Sequence, residues 1–387
     1  MLIAQTGFGG AADNFVLLIG AFALLLIGAE VFTNGVEWLG RRLDISESAT
    51  GSVLAAVGTA LPETMIPVIA ILQAQFFGGS QAAADEVGVG AILGAPFMLA
   101  TIAMFLIGAS VLYFSGRRSY GAEFHFEASA TRRDLSFFLV GYTLAFGAAL
   151  IRQQIVSNAI AFLLVGLYLV YLYRTLQSGE MMEGEIDDLH LGRLAEDGFG
   201  PVPGIADGGN PRSLASNPPL FLVLIQTLLA LGIIIGGAHL FVGEVEFFSE
   251  NVLDMPAAVI SLLLAPLATE LPEKFNSVIW ISRDKDTLAI GNITGAMAFQ
   301  GTLPVTLGIL FTSWNLTLEW GTGGFLNALS AILAIISGII LYLRARSSGA
   351  DNMRPLPFLI GGIFYALFIT VVVYHVVFLD LSGVAGH

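Results

Sequence analysis

Two stretches decide the fold: Gly51-Ser-Val-Leu-Ala-Ala-Val-Gly-Thr-Ala-Leu-Pro-Glu63 and Ser261-Leu-Leu-Leu-Ala-Pro-Leu-Ala-Thr-Glu-Leu-Pro-Glu273. Thr59, Leu61, Pro62 and Glu63 match Thr269, Leu271, Pro272 and Glu273 at a constant offset of 210. The match extends outward. Upstream, Gly28-Ala29 pairs with Gly237-Ala238. Downstream, Gly90-Ala-Ile-Leu-Gly94 pairs with Gly291-Asn-Ile-Thr-Gly295. The chain therefore carries an internal repeat of about three helices, which has to be read before any single motif.

The medium is set by composition. Of 387 residues, 56% are hydrophobic and only 12% charged, about half the roughly 25% usual in soluble domains. Mean hydropathy is +0.81. This excludes an ordinary soluble enzyme. A net charge of −14 leaves no basic surface for nucleic acid. With no cysteine, disulfides, thiolate metal sites and thiol nucleophiles are excluded. No signal-peptide pattern precedes the first apolar stretch.

A bilayer core about 30 Å thick takes roughly 20 apolar residues per helix. Ten segments satisfy this, near 14–39, 49–76, 88–114, 134–151, 155–174, 219–248, 255–282, 287–312, 323–343 and 357–379. With both termini external, 14 of the 16 basic residues fall on inside loops, as the positive-inside bias requires. The expected fold is an all-α membrane protein of ten transmembrane helices, arranged as two inverted five-helix repeats. Residues 1–174 form the first half and 218–387 the second. Residues 175–217 are a cytoplasmic acidic linker, with eight acidic residues against Arg193 and Arg212, and read as solvated and flexible. Within it, Glu183, Glu185, Asp187 and Asp188 suggest a calcium-regulatory patch, against the simpler reading of a solvated charge run. Two lysines against 14 arginines, with acidic loops, point to a halophilic source.

The second copy of the repeat starts after an odd number of spans, so its helices run the opposite way. Inverted repeats with interrupted helices are the architecture of secondary transporters, with the substrate at the interface between the halves. Each copy sets Pro between Thr and Glu. A proline inside a helix removes one backbone hydrogen bond and frees a carbonyl, which in lipid must find a partner. Thr59 and Glu63 are four apart and share a helical face, as do Thr269 and Glu273. Crossed at their centres, the two helices offer carboxylates, hydroxyls and freed carbonyls, an all-oxygen site suited to Ca²⁺. Zinc would want His or Cys. A carboxylate in the membrane costs roughly 2.5 kcal/mol or more and marks function by default. The competing reading is a pair of structural prolines with neutralised carboxylates.

Glu270 is either a third cation ligand or the partner of Lys274 four residues on, a spacing that favours the ion pair. Gln300 and Asn292 are further candidates by repeat position. Glu30 and His239, at matching positions, suggest a proton relay, with packed polar residues as the simpler reading. Glu37, Glu244 and Glu246 are expected near helix ends in water.

The two Thr-x-Leu-Pro-Glu stretches resemble the paired signature of the calcium/cation antiporter superfamily, which includes the sodium/calcium exchangers. Its usual form is Gly-Thr-Ser-Leu-Pro-Glu, followed on the next helix by Gly-Asn-x-x-Gly-Ser-Asn. Gly291-Asn292-Ile-Thr-Gly295 fits the latter in part. The resemblance covers about half the chain. It implies that Glu63 and Glu273 coordinate Ca²⁺, that Thr59 and Thr269 add oxygens, and that the first and sixth helices slide across the core. The departures are Ala60 and Glu270 for the signature serines, Ala95-Pro96 and Ala296-Met297 for the Ser-Asn element, and Leu99 and Gln300 for further polar positions. The missing oxygens are mostly those used for Na⁺.

The expected function is a secondary antiporter of the plasma membrane that exports Ca²⁺ in exchange for Na⁺ by alternating access. The alternative is a proton-coupled exchanger of Ca²⁺ or another divalent ion. An enzyme is disfavoured, since no His-Glu-x-x-His, Gly-x-Ser-x-Gly or nucleotide loop is present. A passive channel is disfavoured because two opposed broken helices suit one occluded site better than a pore. The expected partners are inorganic cations and membrane lipid, with no cofactor; the sequence leaves the oligomeric state open.

Overall fold

The computed structural model describes residues 11–76, 81–151, 153–179, 186–199, 206–207, 210–211, 213–251, 265–347 and 352–378. They are almost wholly helical. In chain order the helices are α1 (Ala11–Leu43), α2 (Glu47–Ala49), the π-helical turn π1 (Thr50–Ala55), α3 (Ala56–Phe76), α4 (Gln81–Met98), a second π-helical turn π2 (Leu99–Ala103) and α5 (Met104–Phe114). Then come α6 (Ala128–Ile151), α7 (Gln154–Leu176), α8 (His190–Phe199), α9 (Leu220–Asn251), α10 (Ala265–Ser282), α11 (Asp286–Gln300), α12 (Leu303–Phe311), α13 (Gly323–Ser347) and α14 (Leu356–Phe378). Two short antiparallel pairs join 124–125 to 352–353 and 206–207 to 210–211.

Among the described residues, eight stretches are long and apolar enough to cross a membrane: Asn14–Leu43, Val89–Phe114, Ala128–Ile151, Gln154–Leu176, Leu220–Phe241, Asp286–Phe311, Gly323–Ser347 and Leu356–His375. They correspond to eight of the ten expected spans. The other two expected spans, 49–76 and 255–282, contain the signature stretches. Their described parts are helical but do not join the eight. The α10 stretch holds Glu270, Glu273 and Lys274, so composition alone does not mark it as a span.

Glycine sets how closely the helices approach. A Cβ at Gly28 would sit 3.0 Å from Ile233 and Ile234, one at Gly35 2.6 Å from the Thr227 hydroxyl, and one at Gly237 3.2 Å from Leu25. As the α1 number rises the α9 number falls, so these two helices, the first of each proposed half, are antiparallel neighbours. Their outer faces are exposed and apolar, with Val16, Ile19 and Ile27 on α1 and Leu228 and Leu229 on α9.

A second close approach carries the core. Gly51 of π1 meets the Leu288 backbone, and Gly291 and Gly295 of α11 meet Ser52. A Cβ at Gly295 would land 2.1 Å from the Ser52 carbonyl oxygen, a backbone atom that no rotamer change can move. Gly295→Ala is therefore expected to destabilise the protein by about 1–3 kcal/mol, read as a lowered melting temperature in detergent. An unchanged melting temperature would mean that the two segments part freely.

Each π-turn leaves backbone carbonyls that the regular helix ladder does not satisfy, and in an apolar medium these need partners. Neighbouring hydroxyls supply them. Tyr171 donates to the Ser52 carbonyl at 3.2 Å, and Ser337 donates to the Ala100 carbonyl at 2.6 Å. Pro96, inside α4 and three residues before π2, explains why the ladder breaks there.

The loops assigned to the inside gather at one end of the bundle. Arg118 makes a bidentate pair with Asp286, 2.7 and 2.6 Å, both side chains fully buried. Ser46 donates to the Ser178 carbonyl at 2.7 Å, Arg133 donates to the Ser178 hydroxyl, and Arg42 to the Asn217 side chain. Part of the linker is docked on this end rather than solvated. Leu189 and Ile186 are buried against Trp38, Leu39 and Val223. Trp38 Nε1 and Asn34 Nδ2 donate to the Asp187 carbonyl at 2.9 and 3.0 Å, and Leu191 N donates to Gln226 Oε1 at 2.7 Å. The physical reason is that Ile186 and Leu189 carry apolar area into an otherwise acidic run. Glu183 and Glu185 lie outside the described residues. Asp188 pairs with Arg193 at 3.2 Å and Asp187 with Arg283 at 3.7 Å.

Candidate cation site

Helix α3 carries Thr59 and Glu63, and α10 carries Thr269, Glu270 and Glu273. Among these, the side chains of Glu63, Thr269, Glu270 and Glu273 lie outside the described residues, as does any pairing of Glu270 with Lys274. Thr59, Asn292 and Gln300 are described, and all three are buried, at 1%, 1% and 2% exposure.

Thr59 and Asn292 meet. The Thr59 hydroxyl is shared between the Ala55 carbonyl at 3.0 Å and Asn292 Oδ1 at 3.2 Å. Asn292 in turn donates through Nδ2 to the Ser277 hydroxyl at 3.0 Å, and Ser277 donates to the Ala289 carbonyl at 3.1 Å. A buried polar chain thus runs from α3 through α11 to α10, reaching the position one turn beyond Glu273. Neighbouring Lys274 and Asn276 are buried at 1% and 0%. Gln300 stands apart, eight residues further along α11 than Asn292, about 12 Å at 1.5 Å per residue. At positions where the exchanger pattern has oxygens, Ala60, Leu99 and Ala296 are fully buried apolar side chains. Among the described residues, no group of three or more His, Asp or Glu forms a metal cluster.

The surrounding carboxylates sit differently from expectation. Glu37 is not in water but 1% exposed. It accepts from Trp280 Nε1 at 2.9 Å and pairs with Lys285, so a cation and an indole donor offset its desolvation. Glu30 pairs with Arg283 at 2.5 Å and faces His190 at 3.6 Å. His239 is exposed, and among the described residues Glu30 is engaged by Arg283 and His190 rather than by His239. Glu47, at the start of α2, has its carboxyl pushed up to about 7 by burial, with Lys285 opposing and Glu37 adding to the rise.

Several polar residues near the site were not singled out in the sequence. Ser277 follows Glu273 by four residues, a helical-face spacing that the repeat alignment leaves unmarked because Glu63 is followed there by Pro67. Asp134, Ser52 and Thr294 form a second buried polar group. Asp134 sits just inside the fourth span, beside Arg132 and Arg133, and reads from sequence as an interfacial charge.

The geometry is that of a helical membrane protein in which Thr59 of the first signature stretch meets Asn292 of the second glycine element inside an apolar bundle. The sequence signature of the family described as sodium/calcium exchanger protein matches residues 14–177 and 222–377, most of the chain. The chain belongs to that family. It is a divergent member. CaxA of Alkalimonas amylolytica, an antiporter by name, is 24% identical over 290 residues, covering 75% of this chain and 77% of that protein. The inner membrane protein YrbG of Escherichia coli K12 is 24% identical over 298 residues, 76% and 79% of the two chains. A solved structure of the sodium-calcium exchanger NCX_Mj shares the fold, with a TM-score of 0.66 at 18% identity over 93% of this chain and 98% of that one. The protein is thus a transmembrane cation antiporter of the exchanger family and not an enzyme.

Proposed function

We propose that the protein is a secondary active antiporter that exports Ca²⁺ in exchange for Na⁺ by alternating access. Glu63 and Glu273 hold the cation from oppositely directed helices, with Thr59, Thr269 and Asn292 supplying neutral oxygens. Glu270 is held by Lys274 or joins the ligands, and Gln300 lines the path further along α11. The observation that carries the reading is the contact at 3.2 Å between Thr59 of one signature element and Asn292 of the other half's next helix. It brings polar positions from both halves to one buried point, where an inverted-repeat transporter places its substrate.

Two carboxylates balance one Ca²⁺, so the loaded carrier is close to neutral. The empty, doubly ionised pocket is costly in a low-dielectric interior and crosses poorly, which enforces exchange. Ten spans in two inverted halves, 1–174 and 218–387, joined by 175–217, fit the antiparallel α1 and α9 and the gathering of the inside loops at one end. On this reading the protein lies in the plasma membrane with both termini external, and its acidic, lysine-poor composition suits a halophilic source.

Proton coupling is the second reading, favoured by the buried apolar Ala60, Leu99 and Ala296 where Na⁺ oxygens are expected. The test is Ca²⁺ flux into proteoliposomes under a Na⁺ gradient alone and then a pH gradient alone. Uptake driven by Na⁺ alone supports the first reading and uptake driven only by the pH gradient replaces it with the second. Flux with neither gradient, at channel-like turnover, removes both.

A further inference from the structure

Asp134 is a fully buried carboxylate on α6 that the proposed transport cycle does not use. Its Oδ2 accepts from the Ser52 hydroxyl at 2.6 Å and from the Thr294 hydroxyl at 2.8 Å. Ser52 belongs to π1, which leads into α3, and Thr294 to α11. The Arg133 guanidinium stands 3.4 Å from Oδ1. Tyr171 of α7 closes the far side and donates to the Ser52 carbonyl at 3.2 Å.

We infer that Asp134 is a positioning residue of the cation site: its carboxylate, bonded to one hydroxyl from each half, fixes the crossing of π1 and α11 and so sets where Thr59 and Asn292 meet. The inference rests on the reading of those two residues as part of the site.

Three features support it. First, the crossing is a glycine contact. Gly291 and Gly295 lie directly on Ser52, and smooth surfaces of this kind have no interlocking side chains to fix rotation or register. Second, the bond geometry is specific. A turn of either segment by one residue, about 100°, carries its hydroxyl away from Oδ2. Third, the lever is short. Thr294 is two residues from Asn292, and Ser52 is two helical turns before Thr59. A buried carboxylate is costly in this medium, and such groups mark function by default. An apolar side chain would pack here at lower cost but would not fix the register.

The test uses the full chain in proteoliposomes, with Ca²⁺ uptake under whichever gradient drives the wild type. Asp134→Asn keeps an oxygen acceptor for the two hydroxyls and is expected to transport with an apparent KM close to wild type. Asp134→Leu removes the acceptor and is expected to raise the KM for Ca²⁺ by about tenfold, with the maximal rate much less affected. Ser52→Ala and Thr294→Val each remove one bond without introducing volume. They are expected to raise KM in the same direction, with non-additive effects in the double variant. These two keep the test open if Asp134→Leu fails to fold. Hydrogen exchange at the amides of 50–55 and 286–300 is measured in parallel and is expected to accelerate in both segments together.

An unchanged KM in Ser52→Ala/Thr294→Val overturns the inference. So does an Asn variant as impaired as Leu with an altered pH profile, which would make Asp134 a proton carrier. If the wild type moves no Ca²⁺, the calcium reading fails on its own. Faster exchange in both segments then still supports Asp134 as the group that fixes the crossing, and unchanged exchange overturns it.

Discussion

Glu63→Gln is expected to abolish Ca²⁺-dependent exchange in proteoliposomes while leaving the protein folded in the membrane. The amide keeps the shape and an oxygen but removes one of the two charges that balance the divalent ion. Losing a residue that only supports a metal ligand costs about 10–100-fold in affinity, so losing a ligand carboxylate is expected to cost at least about a hundredfold. Glu273→Gln is expected to match it, because the repeat gives the two residues equivalent places. A double variant no worse than either single would show that the two act as one site. Undiminished exchange in Glu63→Gln would remove the proposed site.

Arg118→Met is expected to destabilise the protein more than any other single change at the loop end of the bundle. Arg118 and Asp286 are both fully buried and joined by two short bonds, with His125 N also donating to Asp286 at 2.8 Å. Removing the guanidinium strands a carboxylate without solvent, at a cost of about 3–5 kcal/mol. The measurement is the melting temperature in detergent, expected to fall by many degrees. Arg118→Met/Asp286→Leu is expected to recover much of the loss, since replacing both members of a buried pair is often near neutral. A single variant that melts with the wild type would mean that water reaches Asp286.

The membrane character and most spans were legible because hydropathy and arginine placement are properties of composition along the chain. Eight expected spans reappear as long apolar helices, and the loops that the arginines assign to the inside meet at one end. The remaining two, at 49–76 and 255–282, carry the signature residues; in 255–282 the charges Glu270, Glu273 and Lys274 also weaken the hydropathy of the stretch. The meeting of Thr59 with Asn292 was partly legible, since the glycine element around Asn292 repeats. Ser277 was not, because nothing at the matched position in the first half marks it. Asp134 was hidden by its neighbours Arg132 and Arg133, which make the segment read as a helix end, whereas the fold buries its carboxylate against two hydroxyls from distant segments. The docking of part of the linker is not legible in the sequence, because a charge run masks the few apolar residues that seat it. Ile186 and Leu189 are enough to seat the chain on Trp38 and Val223.

The most direct test is a structure of the protein soaked in Ca²⁺, with density assigned from the anomalous signal of the ion. The expected result is one Ca²⁺ between the Glu63 and Glu273 carboxylates, each contributing oxygen at roughly 2.3–2.6 Å, with the Thr59 hydroxyl beside them. Ca²⁺ bound elsewhere, or the two carboxylates too far apart to share one ion, would contradict it.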